Sequence, residues 1–282
     1  MTRAFSRPLT DVSDAGLAAA IEADQVATRI LAPEVPVEIH DEPDATWGIA
    51  RYADPFRSVV VSARFAESDA DRRIGEIAGT FEARDTGFLW WLAPFHTPAD
   101  LGARLVRSGL RYEGTAPAMA MDLGALPRDE PLPPGLTIEP VTDVAGLREF
   151  IQVLADEMDV PAGQPNPAAA HHAALLEAIP PTLADEPVPL RYLGRIDGRP
   201  IATSRIAIAA GVAGLYAVAT LPEARRRGVG RALTLAALDA GRSIGLRIGV
   251  LQASDSGLPV YRRLGFRTIF EYEVYQRDPP AR

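Results

Sequence analysis

Apolar and polar residues alternate along several short segments in the second half of the chain, as they do in strands that bury one face of a sheet. Residues 136–141 alternate in this way. Two further alternating segments, 192–196 and 201–208, flank an Asp-Gly pair, which is typical of a tight hairpin turn. Residues 215–220 form another predicted strand. We therefore expect a sheet that is largely antiparallel.

Apolar residues at helical spacing follow or separate these predicted strands. Asp143 is placed to cap a helix over the residues that follow it, and a long helix is predicted from about residue 227 to 243. A short helix over 258–264 lies between two more strands, 247–252 and 268–275. The second half is therefore expected to be α/β or α+β, with a strand–helix–strand unit at its centre.

A charged, Pro-rich segment divides the chain. Its prolines, within residues 127–135, are incompatible with a helix interior and with a central strand. The whole chain has 282 residues, more than a typical single domain uses. We predict a domain over residues 1–126, a linker over 127–135 and a second domain over 136–282.

Composition excludes several classes of function. The chain contains no Cys and no Lys, which rules out disulfides, thiolate metal sites, Schiff-base chemistry and the Lys-dependent phosphate loop. Its net charge is −8, and the whole acidic excess lies in residues 1–134. General nucleic-acid binding is therefore not expected.

Neither the N-terminal residues nor the longest uncharged stretch suggests a membrane protein. The first residues contain no apolar run of signal-peptide length. The longest uncharged stretch, residues 206–222, contains two glycines and is shorter than the roughly 20 apolar residues of a membrane helix. We expect a cytoplasmic protein with no membrane partner.

The segment most informative about chemistry lies between the strand over 215–220 and the long helix. It reads Arg225-x-x-Gly228-x-Gly230, and a glycine-rich turn at a helix N-terminus leaves backbone N–H groups free to hold a diphosphate. Four arginines at 225, 226, 227 and 231 add positive charge. The alternatives are an ordinary solvated helix start and a dinucleotide site, although the third glycine of the dinucleotide motif is replaced by Leu233.

This segment resembles the diphosphate-binding motif of the GNAT superfamily of N-acetyltransferases. A second segment, residues 252–266, is similar to the next family motif, in which a strand is followed by a short helix bearing a tyrosine and then by Leu-Gly-Phe. The resemblance covers roughly residues 136–276. It implies an α/β fold with a mixed sheet (α+β). Together with the repeat in the first half described below, it implies two tandem GNAT-like domains, each a mostly antiparallel central sheet flanked by helices.

The resemblance also implies a reaction and the residues that support it. An acetyl group would move from acetyl-CoA to a primary amine of a small molecule or peptide by direct attack. Tyr261 would protonate the leaving thiolate, and a backbone N–H near Val218 or Ala219 would stabilise the oxyanion. The residues implied in binding acetyl-CoA are Val218, Ala219, Thr220, Arg225, Arg226, Arg227, Gly228, Val229, Gly230 and Arg231. For Tyr261, a purely structural role in the core is the alternative.

Two other functions remain open at this point. One is a non-catalytic acyl-CoA sensor or interaction module, and the other is an acyltransferase that uses another acyl donor or an oxygen acceptor. No metal site is predicted, because the pair His171 and His172 lacks a third ligand.

The general base is not identified by the sequence, because residues 215–220 contain no acidic residue. Many GNAT proteins carry a Glu on this strand. The candidates elsewhere are Asp156, Glu157, Asp159, His171, His172, Glu271 and Glu273. Glu271 and Glu273 alternate along a predicted strand, so a solvated sheet face explains them equally well.

The first half resembles a degenerate copy of the second. Segments 58–65, 72–77, 88–92 and 105–111 are predicted as strand, helix start, strand and short helix. Pairing Gly75 with Gly228 places Glu76 and Ile77 opposite Val229 and Gly230, and pairing Gly109 with Gly265 places Leu105 opposite Tyr261. Each change removes a feature that the chemistry requires, so we expect one acetyl-CoA per chain. A chance similarity between two α/β segments is the alternative.

Overall fold

The computed structural model of the protein describes residues 7–31, 37–50, 58–157, 172, 173, 176 and 190–280. In the first half, the helices and strands in chain order are α1 (Asp14–Val26), β1 (Val37–Glu42), β2 (Ala45–Ala50), β3 (Val59–Ala63), α2 (Ala70–Glu82), β4 (Phe88–Leu92), α3 (Leu101–Arg107) and β5 (Arg111–Asp122). In the second half they are β6 (Leu136–Pro140), α4 (Val144–Glu157), β7 (Arg191–Ile196), β8 (Arg199–Ala209), β9 (Val212–Thr220), α5 (Val229–Ser243), β10 (Ile248–Gln252), α6 (Leu258–Leu264) and β11 (Arg267–Arg277).

The chain forms two compact units, and each unit combines separate stretches of sequence. Unit 1 contains the described residues of Met1–Asp24 and Met119–Arg267, and unit 2 contains those of Gln25–Ala118 and Thr268–Arg282. These spatial units are not the same as the linear division at 127–135, which stays a prediction.

The strands β10, β9, β8, β7 and β6 of unit 1 are neighbours in that order, and β5, whose residues from Met119 onward belong to this unit, is the next neighbour of β10. From β6 to β10, neighbouring strands run antiparallel, apart from the parallel pair of β9 and β10. Gly241 of α5 lies directly over Ala213 of β9, where an added Cβ would come within 2.8 Å of the Ala213 Cβ. The apolar core that α5 covers includes Met119, Ile206, Ala213, Leu215, Ala237, Leu238, Leu251, Leu264 and Phe266.

Unit 2 has the same kind of sheet, with β1, β2, β3, β4 and β11 as neighbours in that order. The strands β3 and β4 are parallel, and β11 runs antiparallel to β4 with Glu273 opposite Leu92. Its core contains Trp47, Ile74, Phe81, Phe88, Trp90, Leu101 and Leu105. Trp90 is fully buried, whereas Arg29 stacks on the neighbouring Trp91 ring at 4.6 Å from its centroid.

The order of elements is repeated along the chain. The series β1-β2-β3-α2-β4-α3-β5 in the first half corresponds to β7-β8-β9-α5-β10-α6-β11 in the second. The predicted fold class, with mixed and mostly antiparallel sheets flanked by helices, is therefore confirmed. None of the helices within the described ranges is long and apolar enough to cross a membrane.

Most predicted element boundaries agree with the structure, and the differences occur at the ends of elements. The helix over 258–264 has those bounds, and the Asp143 carboxylate accepts a hydrogen bond from the Gly146 N–H at 2.7 Å, as expected of a cap. In contrast, α3 ends at Arg107, although the sequence pattern predicted a helix over 105–111. The following Gly109 has φ +93, which ends the helix. The predicted helix around His171 and His172 lies largely outside the described residues.

Candidate active site

The site is organised by the separation of two parallel strands in unit 1. Pairing between β9 and β10 is limited to Ala213 with Gly249 and Gly214 with Val250. Beyond these pairs β9 continues to Thr220 and β10 to Gln252. No described residue pairs with the β10 side of β9 after Gly214. The strand therefore offers an edge of free backbone groups to an extended ligand.

A β-bulge interrupts the pairing of β9 with β8, in the part of β9 that lies beyond its pairs with β10. Thr203 of β8 lies opposite Ala219, whereas Arg205, two residues further on, lies opposite Tyr216, so β9 contains one extra residue. Ala217 takes up the extra residue with φ +50, a left-handed conformation that is unusual for a residue with a Cβ. Its carbonyl accepts a hydrogen bond of 2.8 Å from the hydroxyl of the fully buried Thr203. The bulge is thus held from within the sheet.

The chain turns sharply between β9 and α5. Arg226 and Gly228 both have positive φ angles, of +58 and +82, and α5 begins at Val229. No side chain caps the first N–H groups of this helix, because Gly228 occupies the N-cap position. A helix N-terminus without a side-chain cap is a favourable place for an anion.

Gly230 lies in the first turn of α5 and leaves space beside the backbone. A Cβ added there would meet only one atom within 4 Å, the Thr220 Oγ1 at 3.4 Å. Gly228 would meet only the Pro133 Cγ, also at 3.4 Å, but its positive φ favours glycine. The protein itself therefore does not fill the space at Gly230, and the turn fits a diphosphate held by backbone amides.

Two of the four arginines of this segment are engaged by carboxylates. Arg225 donates to the Thr220 carbonyl at 3.0 Å and to both the carbonyl and the Oε1 of Glu157, at 3.0 and 3.1 Å. Arg231 makes two hydrogen bonds to Glu130, at 2.9 and 2.8 Å. Arg225 therefore links the end of β9 to the end of α4 by hydrogen bonds.

Arg226 and Arg227 are exposed, and within the described part of the chain their side chains have no hydrogen-bonding or ionic partner. They are the cations of this segment that remain free to meet a phosphate. A cavity of about 850 Å³ opens beside the turn, between residues 127–133 and α5, with Gly228 and Arg231 in its wall.

Tyr261 lies on α6 and packs on the same apolar cluster as Val218 of β9. Its ring meets Phe266 edge-on, with 5.8 Å between ring centroids. Burial raises the pKa of Tyr261 to about 12, so the phenol keeps its proton at neutral pH. Among the described residues its hydroxyl has no hydrogen-bond partner. Tyr261, the predicted general acid, and Val218, on the strand predicted to bind the donor, thus pack against the same apolar cluster.

Three of the predicted base candidates are described in unit 1, namely Asp156, Glu157 and His172. Burial raises the pKa of the Glu157 carboxyl, and the facing Arg225 guanidinium opposes this effect. Asp156 is exposed and accepts a hydrogen bond from Gln152 at 2.7 Å. His172 is buried, with 8% of its surface exposed. Asp159 and His171 lie outside the described residues.

The two remaining candidates, Glu271 and Glu273, belong to unit 2. Both are exposed, while Tyr272 between them is fully buried. The Tyr275 hydroxyl donates to Glu273 at 2.5 Å, and burial, followed by this neighbouring carboxylate, raises the pKa of that tyrosine. This alternation is that of a solvated sheet face.

Sequence reasoning missed one acidic residue that contacts β9. Asp24 of α1 is fully buried, and its Oδ2 accepts a hydrogen bond of 2.5 Å from the Tyr216 hydroxyl. A signal was present in the sequence, because Leu17, Ala20, Ile21 and Asp24 recur at helical spacing. This spacing places a carboxylate on the buried face of α1. The two partners are 192 residues apart, so their contact itself could not be anticipated.

The start of α2 in the first half differs from the turn before α5. Its helix α2 begins at Ala70, not near Arg72, so Gly75 lies inside the helix and the predicted pairing with Gly228 is wrong. The residues at the actual N-terminus of α2 include Asp69 and Asp71. Arg72 is paired with Asp69 and Glu76, at 3.2 and 2.6 Å. Ile77 and Leu105 are fully buried.

Comparison with known proteins identifies the domain that carries this site. Residues 152–266 match the model of the Acetyltransferase (GNAT) family. The family match indicates acyl transfer, with an acyl-CoA donor and an acceptor. No curated protein sequence matches the chain significantly.

Solved structures with the same fold span almost the whole chain. A GCN5-related N-acetyltransferase from Kribbella flavida is 23% identical, with a TM-score of 0.69, and covers 94% of this chain and 96% of its own. A GCN5-related N-acetyltransferase from Sphaerobacter thermophilus is 17% identical, with a TM-score of 0.62 and coverage of 85% and 82%. A tandem GNAT protein from the clavulanic acid biosynthesis pathway is 13% identical, with a TM-score of 0.53 and coverage of 98% and 92%. The resemblance predicted from the two motifs is confirmed, because residues 152–266 match the GNAT family model and the solved structures share the fold.

Proposed function

We propose that the protein transfers an acetyl group from acetyl-CoA to a primary amine of a small molecule or peptide by direct attack. The observation that carries the proposal is the continuity of the open β9 edge, the bulge at Ala217 and the uncapped turn before α5. An extended arm ending in a diphosphate matches this order of free backbone groups.

In this proposal each segment contacts a different part of the donor. Backbone groups of Val218, Ala219 and Thr220 pair with the pantetheine arm. The amides from Gly228 to Arg231 hold the diphosphate, and Arg226 and Arg227 add charge. The cavity beside the turn supplies room for the nucleotide end. Glycine at 230 permits the close approach that a phosphate requires.

The chemical step uses a backbone amide and one phenol. An N–H near Val218 or Ala219 stabilises the negative charge that develops on the thioester oxygen. Tyr261 then gives its proton to the leaving thiolate. A pKa of about 12 keeps that proton in place until a strong base forms beside it.

The proposal is tested by calorimetric titration with acetyl-CoA and by measuring thiol release with a panel of amines. Mass spectrometry of a metabolite extract incubated with the protein and labelled acetyl-CoA identifies the acetylated product. Binding without thiol release from any acceptor would favour a non-catalytic acyl-CoA sensor. Preference for a longer acyl-CoA or for a hydroxyl acceptor would favour the other alternative.

A further inference from the structure

We propose that Tyr216 is the catalytic residue that removes the proton from the attacking amine, with Asp24 as its positioning residue. This inference rests on the proposed function. It answers the question left open by the sequence of β9, in which no acidic residue occurs.

The position of Tyr216 on β9 supports this role. Ala213 and Leu215 belong to the apolar cluster under α5, so the alternation of the strand directs Gly214 and Tyr216 to the opposite face. Tyr216 follows the last residue paired with β10 and immediately precedes the bulge residue Ala217. Its ring is partly exposed. The hydroxyl-bearing side chain therefore belongs to the open part of the strand.

Asp24 connects this side chain to a fully buried carboxylate. The Oδ2 of Asp24 lies 2.5 Å from the Tyr216 hydroxyl, which donates to it. Both residues belong to unit 1. Burying a carboxylate costs free energy unless a specific partner satisfies it. A buried carboxylate hydrogen-bonded to a side chain of β9 is therefore a candidate for a functional role.

Gly214 shows how closely the carboxylate is fitted to β9. A Cβ at this position would lie 2.5 Å from the Asp24 Oδ2 and 2.7 Å from the Tyr216 Cε2. Both distances are too short for any side chain to be accepted without movement. The absence of a side chain at Gly214 thus creates the space in which Asp24 reaches Tyr216.

Acyl transfer moves the amine proton to the pair of Tyr216 and Asp24 and the Tyr261 proton to sulfur. The amine nitrogen attacks the thioester carbon, the C–N bond forms, and the C–S bond breaks with its electron pair on sulfur. The nitrogen loses a proton to the Tyr216 oxygen while the Tyr216 proton passes to the Asp24 carboxylate. Tyr261 protonates the thiolate. Exchange with water then restores Asp24 and Tyr261.

The test compares Tyr216→Phe, Asp24→Asn and the double variant in the full-length protein. Tyr216→Phe keeps the ring and deletes the hydroxyl. We expect its kcat to fall about 100-fold while acetyl-CoA affinity and KM for acetyl-CoA stay near those of the wild type. The double variant should lose no more than about the larger single loss, because the two residues act as one unit. The solvent deuterium isotope effect on kcat should also change.

Tyr192→Phe is the matched control, since Tyr192 is a partly buried tyrosine on β7, which is separated from β9 by β8, and has no assigned role. It should retain wild-type turnover. If Asp24→Asn does not fold, Tyr216→Phe carries the test alone. Wild-type kcat in folded Tyr216→Phe would overturn the role of this pair and leave the acetyltransferase proposal intact. Absence of thiol release by the wild-type protein with every acceptor would overturn both.

Discussion

The hydroxyl of Thr203 donates a hydrogen bond of 2.8 Å to the carbonyl of Ala217 and so links β8 to the bulge of β9. A bulge needs a partner for the backbone groups that leave the regular ladder. Thr203 is fully buried, so water does not supply that partner in its place. The position of the site strand therefore depends on a side chain that lies on a different strand.

Replacing Thr203 by valine tests this link. Loss of the hydrogen bond leaves the Ala217 carbonyl without its partner, and we expect the free energy of unfolding to fall by about 1–3 kcal/mol, together with a loss of turnover. Chemical denaturation and thiol-release assays measure the two effects. Thr234→Val is the control, because Thr234 is also fully buried but its hydroxyl has no partner among the described residues. Equal behaviour of the two variants would contradict the assigned role of Thr203.

Gly230→Glu tests the turn before α5. The space at Gly230 accepts a side chain without a clash within the protein, so the variant should fold with little change in stability. Bulk and negative charge at this place should weaken acetyl-CoA binding at least tenfold, about 1.4 kcal/mol. Calorimetry provides the measurement. Gly75→Glu, at an exposed helical glycine of unit 2 with no neighbouring atom within 4 Å, should leave the affinity unchanged. Unaltered binding by folded Gly230→Glu would remove the turn from the site.

Tyr261→Phe separates binding from the chemical step. The ring contact with Phe266 is kept, whereas the proton donor is lost, so kcat should fall about 100-fold with little change in acetyl-CoA affinity. Because the pKa of Tyr261 is about 12, ionisation of this residue should not reduce the wild-type rate below about pH 11. A pH–rate profile and single-turnover thiol release provide the measurements. A wild-type single-turnover rate in the variant would restrict Tyr261 to packing.

Binding stoichiometry tests the prediction that the first half does not bind acetyl-CoA. Asp69 and Asp71 at the start of α2 would repel a diphosphate, and Leu105 has no proton to donate. Titration with acetyl-CoA should therefore saturate at one equivalent per chain, and Gly230→Glu should remove that event. An endpoint at two equivalents, or a residual site in the variant, would show that the first half retains donor binding.

The sequence predicts local features of this protein well and long-range ones poorly. The helix over 258–264, the cap at Asp143 and the turn at Gly228 depend on a few neighbouring residues, so spacing and residue type suffice. The bulge at Ala217 depends on register between two strands. The contact of Asp24 with Tyr216 depends on residues far apart in the chain. Neither the bulge nor this contact can be located from the periodicity of the residues around it.

The paired arginines illustrate the same limit at the site. Arg225 and Arg226 are adjacent residues of the same type, yet only Arg225 donates a hydrogen bond to Glu157. Their difference arises from where α4 ends, at Glu157 itself. The sequence motif thus identified the segment, whereas only the structure showed which of its arginines are paired with carboxylates.

The strand β11 follows the GNAT motifs in the chain but pairs with β4 in unit 2, with Tyr275 opposite Trp90. Met119 and the residues after it, which end the first half's last strand, belong instead to unit 1. A gene cut within residues 127–135 would therefore give two incomplete products, each missing a strand from its sheet. Selection for a folded second half then also preserves the first half, because neither half can be deleted without removing part of the other half's sheet.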